Sequence, residues 1–207
     1  KDVMMLSNEM LKKRVRPLPG FYDFIETQVA FQTTNQSKES FNQWFKGLQW
    51  TIESSTLGGF NNAVSSSLNL VKYNSLYSSK TINWAAKHSG YTIRIDTARG
   101  PYAEFTSNID LTYSSQKDQN TIYATRGKFY IVEQTFEAEG GKVDFSRAGL
   151  PKDQVFAELS KYSVSLKRAA IYADSVQFTN KEYFQHKLKG SFEDQCSDKT
   201  SDPTFPR

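Results

Sequence analysis

The hydrophobic period of this chain changes near residue 80, and one kind of secondary structure cannot satisfy both periods. Before the change, "SKESFNQWFKGLQWTI" places Phe41, Trp44, Phe45, Leu48 and Ile52 on one stripe at helical spacing, with Ser37 standing where an N-cap is needed. "GGFNNAVSSSLNLVKY" repeats the pattern with Phe60, Val64, Leu68 and Val71 after a break at Gly58 and Gly59. A helical hairpin follows from that spacing. "PLPGFYDFIETQVAF" predicts an earlier helix behind Pro17 and Pro19, and the Met-rich start predicts a fourth. Trp44 and Phe45 are expected to be buried by whatever the second half forms.

After the change the period is two. Tyr91, Ile93 and Ile95 alternate with Thr92, Arg94 and Asp96. Beyond an "RGP" turn, Ala103, Phe105, Ile109, Leu111 and Tyr113 take odd positions while Glu104, Thr106, Asn108, Asp110 and Thr112 take even ones. Short strands are expected at Ile122 with Ala124, Phe129 with Ile131, Phe136 with Ala138, Val143 with Phe145, Tyr162 to Leu166, and Val176 with Phe178. Only "GLPKDQVFAEL", with Pro151 suited to a first helical turn, interrupts them. The expected fold class is α+β: an N-terminal helical hairpin region over residues 1–80, then an antiparallel twisted sheet or half-barrel over 81–194. Residues 195–207 read as a polar tail or a linker to a continuation. With 207 residues, 38% of them hydrophobic, the chain can build a substantial core.

The segments that look chemical mostly read as structure. "TFEAEGGKVDF" lacks the GxxxxGK followed by Ser or Thr that cradles a phosphate, since Phe136 occupies the first glycine position and Val143 follows Lys142. Gly140 and Gly141 therefore read as a two-residue hairpin turn, where positive φ favours glycine. Glu137 and Glu139 alternate on one strand, which would set their carboxylates about 7 Å apart, and they read as its solvated side. His88 and His186 have no ligand-spaced neighbours and read as surface or capping residues, Cys196 lies in a polar stretch as an inert thiol, and no GxSxG elbow is present. No cofactor motif occurs. A net charge of +4, scattered apart from "KKR" at 12 to 14, offers no basic stripe for nucleic acid. No apolar run reaches the roughly 18 residues of a spanning helix. The chain opens on Lys1 rather than Met, which fits either a removed leader or an excised piece of a protein, and an exported, periplasmic or cell-surface location is the expectation.

The stretches beginning at Ile122 and at Ile171, "IYATRGKFYIVEQTFEAEGGKVDF" and "IYADSVQFTNKEYFQHKLKGSFED", are similar to each other and suggest a structural repeat. Their strand-and-turn pattern, over residues 91–194, resembles the OstA-like family of periplasmic lipopolysaccharide-transport modules, with the stretch around "SRAGLPKDQVFAELSKYS" departing from it. "LYSS", "NWAA", "AEGGKVDFSRAGLPKDQVFAEL" and "YADSVQF" together are similar to the front portion of large uncharacterised exported proteins of Bacteroidetes, from about Phe41 onward. The first resemblance implies an open, twisted β fold that holds acyl chains between apolar faces; the second brings no activity.

The function expected from these readings is a non-enzymatic structural or interaction module of an exported cell-envelope protein, with an apolar groove for a lipid or a partner strand. The strand series ends near residues 187–192, so Lys187, Leu188, Lys189, Gly190 and Phe192 form the candidate edge for a partner strand. The alternative is a carbohydrate-binding module that stacks sugars on exposed aromatics, with Tyr123 and Tyr183 as the candidates.

Overall fold

The computed structural model describes residues 2–14, 20–34, 36–54, 57–117, 119–145 and 156–178. Four helices come first: α1 (Asp2–Lys12), α2 (Gly20–Thr33), α3 (Lys38–Glu53) and α4 (Leu57–Tyr73). Ser37 caps α3 as its position requires, its Oγ accepting from the Ser40 amide at 3.0 Å. α4 stops at Asn74, which takes a φ of 51°, a left-handed conformation that Asn tolerates better than most side chains. The first strand starts at Ser75, slightly ahead of the change of period read near residue 80.

Ten antiparallel strands follow among the described residues, which makes the fold α+β with an unclosed sheet. They are β1 (Ser75–Ser78), β2 (Ile82–Lys87), β3 (Tyr91–Asp96), β4 (Gly100–Phe105), β5 (Ile109–Ser115), β6 (Gln119–Tyr130), β7 (Thr135–Phe145), β8 (Ala157–Ser165), β9 (Ala170–Ala173) and β10 (Val176–Phe178). The sheet order is β1-β2-β5-β6-β7-β8-β10. The β3–β4 hairpin joins the C-terminal half of β6, and β9 the C-terminal half of β8. The three long strands β6, β7 and β8 therefore form a central ribbon with split wings on both sides.

Several sequence expectations change here. The short strands expected at Ile122 and Phe129 are one strand, β6, and those at Phe136 and Val143 are one strand, β7. Gly140 and Gly141 are not a hairpin turn, because β7 runs through them and keeps its register on both neighbours. Gly140 does take positive φ, at 67°, and so does Ala124 on the neighbouring β6, at 54°, between the register pairs Tyr123–Lys142 and Arg126–Glu139, so the ladder is interrupted there without the chain reversing. Gly141 is small for another reason: a Cβ there would lie 2.7 Å from Ile122 Cγ2. The reversal happens at residues 131–134, where Gln134 takes a φ of 55°. Of "GLPKDQVFAEL", residues 157–159 open β8 rather than a helix, and Pro151 lies outside the described residues. Where both similar stretches are described, at their first residues, they differ; residues 179–194 of the second lie outside the described residues. Ile122 is buried in central β6 while Ile171 is exposed in edge strand β9, and the two strands run in opposite directions across the antiparallel ladder. What they share is the alternation of any half-buried strand.

One core joins helices and sheet. On α3, Trp44, Leu48 and Ile52 are buried, whereas Phe45 is only partly covered. Trp44 is fully buried, and aromatic side chains of α2 are part of what covers it: its ring stacks on Phe24 at 5.3 Å and tilts onto Phe31 at 5.2 Å. The side of α3 that meets the sheet does so through Gly47, where a Cβ would lie 2.6 Å from Pro101 Cβ. On α4 the buried line is Phe60, Ala63, Val64, Ser67, Leu70 and Val71, with the expected Leu68 only half buried. The apolar face of the sheet, carrying Ile93, Phe105, Phe129, Phe136 and Val164, is thus already occupied by protein.

Candidate functional site

Strand alternation puts every second residue of the central ribbon on the face away from the core. Register then decides which of these become neighbours. On β6 they are Arg126, Lys128 and Tyr130; on β7, Glu137 and Glu139; on β8, Lys161 and Ser163. Lys128 stands opposite Glu137, Arg126 opposite Glu139, and Lys161 opposite Glu139. From the wing, β4 sets Glu104 opposite Lys128, and β3 sets Thr92 opposite Glu104. The result is a checkerboard of opposite charges lining an open groove of about 860 Å³. β9 and its following residue close one side with Tyr172 and Asp174.

The lining carries four basic side chains (Arg94, Arg126, Lys128, Lys161) and four acidic ones (Glu104, Glu137, Glu139, Asp174), so its net charge is zero. The pairing is uneven. Arg94 Nε holds Glu104 Oε2 at 2.8 Å, while Lys128 Nζ reaches Glu104 Oε1 only at 3.8 Å and Lys161 Nζ reaches Glu139 Oε1 at 3.8 Å. Arg126 is exposed and has no ion-pair partner among the described residues. Exposed pairs of this kind contribute little to stability, so their groups stay available to a ligand.

One end of the groove is anchored by Arg99, from the β3–β4 turn. Its guanidinium lies 3.4 Å from the centre of the Tyr130 ring, donates to both oxygens of Glu133 and gives Nη1 to Glu137 Oε1 at 2.7 Å. Tyr130 in turn packs on Tyr102 at 5.5 Å. The turn is preformed, because Asp96 Oδ1 accepts from the amides of Ala98 and Arg99 at 2.8 and 3.0 Å, which also holds the Asp96 carboxyl below its ordinary range. The hydrogen bonds that Arg99 donates to Glu133, and then to Glu137, push its pKa further up.

Glu137 and Glu139 are thus on the wet side of β7, as alternation required, and both belong to the groove. Tyr123 is exposed, as expected, but it stands opposite Lys142 and does not line the groove. Tyr183, His186, Lys187, Leu188, Lys189, Gly190, Phe192 and Cys196 lie outside the described residues. His88 is neither a surface nor a capping residue. Its ring packs against Tyr91 and Phe105 at 5.4 and 5.3 Å, both its nitrogens are buried without a hydrogen-bond partner, and burial pushes its pKa down. The groove described above is charged rather than apolar, and the apolar residues of the opposite face belong to the core shared with the helices. Arg99 and Tyr172 were not foreseen as site residues. Their signals, an Arg before a Gly-Pro turn and a Tyr alternating in a short strand, are too common to single them out.

Among the described residues no three His, Cys, Asp or Glu side chains converge to hold a metal, and no helix is long and apolar enough to cross a membrane. Comparison of the chain with protein-family models, with curated proteins and with solved structures finds no significant match.

Proposed function

We propose that this chain is a non-enzymatic binding module of an exported cell-envelope protein, and that the groove on the outer face of its sheet accepts an uncharged, hydroxyl-rich chain, that is, a carbohydrate. The observation that carries this reading is the charge balance of the lining, with donors and acceptors alternating across the ribbon. A sugar hydroxyl donates and accepts at once, so it matches such a surface, whereas a polyanion would meet four carboxylates as well as four cations. An acyl chain fits poorly, because it would strip water from ionised groups without replacing their hydrogen bonds. Tyr172, exposed at the groove wall, offers a face for stacking. The cell-envelope part of this proposal is drawn from the sequence motifs described above and from the start at Lys1.

Screening the whole chain against immobilised neutral glycans, followed by calorimetry on those retained, tests the proposal. Tyr172→Ala is expected to weaken binding by roughly threefold to tenfold, the range of an aromatic contact. Arg126→Ala should weaken it through lost hydrogen bonds. No binding to any neutral glycan, or affinity unchanged in both variants, overturns the reading.

A further inference from the structure

The described residues expose eleven large apolar side chains, and seven of them lie on helices: Met4, Met5 and Leu11 on α1, Tyr22, Ile25 and Val29 on α2, and Tyr73 on α4. α1 differs from the others in what accompanies them. It buries Leu6 and Met10, and turns Glu9 toward α3, where Glu9 Oε1 accepts from Gln49 Nε2 at 3.3 Å. Its outward side carries Met4 and Leu11, seven residues apart and therefore nearly in line, with Met5 and Lys12 forming a second line beside them. Lys12, Lys13 and Arg14 are all exposed, and none has an ion-pair partner among the described residues. One basic residue in a last turn is accounted for by the helix dipole. Three in succession, beside side chains 70%, 40% and 62% exposed at Met4, Met5 and Leu11, are not.

We infer that α1 is a docking surface for an anionic lipid bilayer, lying parallel to the membrane. Met4, Met5 and Leu11 enter the boundary between headgroups and acyl chains, and Lys12, Lys13 and Arg14 contact lipid phosphates. This is the arrangement of interfacial helices, in which apolar area supplies depth and cations supply attraction to negatively charged headgroups. Charge complementarity selects the occupant. A protein partner for the three cations would need a matching acidic patch of its own, whereas an anionic bilayer presents phosphates at any register, and flexible methionines suit its disordered boundary. The inference is independent of what the groove binds.

Flotation of the whole chain with vesicles tests it. The expected result is weak partition onto phosphatidylcholine alone and clear partition once phosphatidylglycerol is mixed in, falling as salt is raised. Neutralising Lys12 or Lys13 with Gln should weaken partition about fivefold each. Met4→Ser combined with Leu11→Ser should abolish it, while circular dichroism and thermal unfolding stay as in the parent because both side chains are exposed. Absence of binding to the anionic vesicles, equal binding to neutral and anionic vesicles, or full binding by the Met4→Ser, Leu11→Ser variant overturns the inference.

Discussion

The two outer surfaces of this molecule, that of the helices and that of the sheet, are built from similar side chains and behave in opposite ways. On the sheet, Arg94, Glu104, Lys128, Glu137, Glu139 and Lys161 meet opposite charges because register forces neighbours on every second position. At the end of α1 and in the turn after it, Lys12, Lys13 and Arg14 follow one another in sequence and stand without ion-pair partners among the described residues, near exposed Met4, Met5 and Leu11 of the helix. The ladder brings most of these charges within reach of an opposite one, although Arg126 stays unpaired among the described residues across from Glu139; the helices pair Lys72 with Glu26 but leave the three cations at the end of α1 to solvent or to another surface. That difference makes the sheet face a candidate for a small polar ligand and the helix face one for an extended surface.

The comparison holds only while both layers stay in place, so the largest effect is expected where they are joined to their shared core. Trp44→Ala should cost about 3 to 5 kcal/mol, because the ring is fully buried between Phe24 and Phe31 and leaves a cavity. Phe45→Ala, at the half-covered position beside it, should cost clearly less. Denaturant unfolding of both variants measures the contrast, and equal losses would show that the stripe was misjudged. Next comes the alignment of the ribbon itself. A Cβ on Gly127 would overlap the carbonyl oxygen of Glu137 and crowd Ala138 and Phe136, so Gly127→Ala should cost about 3 kcal/mol by overpacking. An unchanged unfolding midpoint would mean that β6 and β7 can separate there without penalty.

A smaller loss, about 1 kcal/mol after allowance for solvent, is expected from Arg99→Ala, since the guanidinium is partly exposed. Because Arg99 holds Glu137, the same variant should also weaken glycan retention, which separates the anchoring role from a purely structural one. pH provides a further test on the sheet side. Burial lowers the pKa of His88, so the unfolded chain takes up a proton before the folded one does. This contribution to stability is fully present above about pH 6.5, the ordinary histidine value, and is lost as the pH falls below it. His88→Phe should flatten that part of the stability profile; an unchanged profile would show that the ring is not held neutral. The smallest effects belong to the surfaces. Lys161→Ala on the sheet and Ile25→Ser on α2 should each shift stability by no more than about 0.5 kcal/mol.

Local signals in the sequence were read well because their causes are local. The alternation from Tyr91 to Tyr113 follows from the two-residue pleat, the stripe through Trp44, Leu48 and Ile52 from the helical turn, and the cap at Ser37 from a hydroxyl beside free amides. These determined the class of fold, the place where helices give way to strands, and which side of each element is wet. Glu137 and Glu139 were recognised as solvated for the same reason. What the tertiary structure alone decided was adjacency. That β7 passes straight through Gly140 and Gly141, that Trp44 stacks on Phe24 of α2, and that Arg99 reaches over Tyr130 to Glu137 all depend on residues distant in sequence. A glycine pair permits a turn or a kink with equal ease, and only the register imposed by β6 and β8 on either side selects between them. The groove belongs to this second kind of information, because its charge balance is a sum over five strands and Asp174, which follows a sixth, and the chain brings these together only on folding.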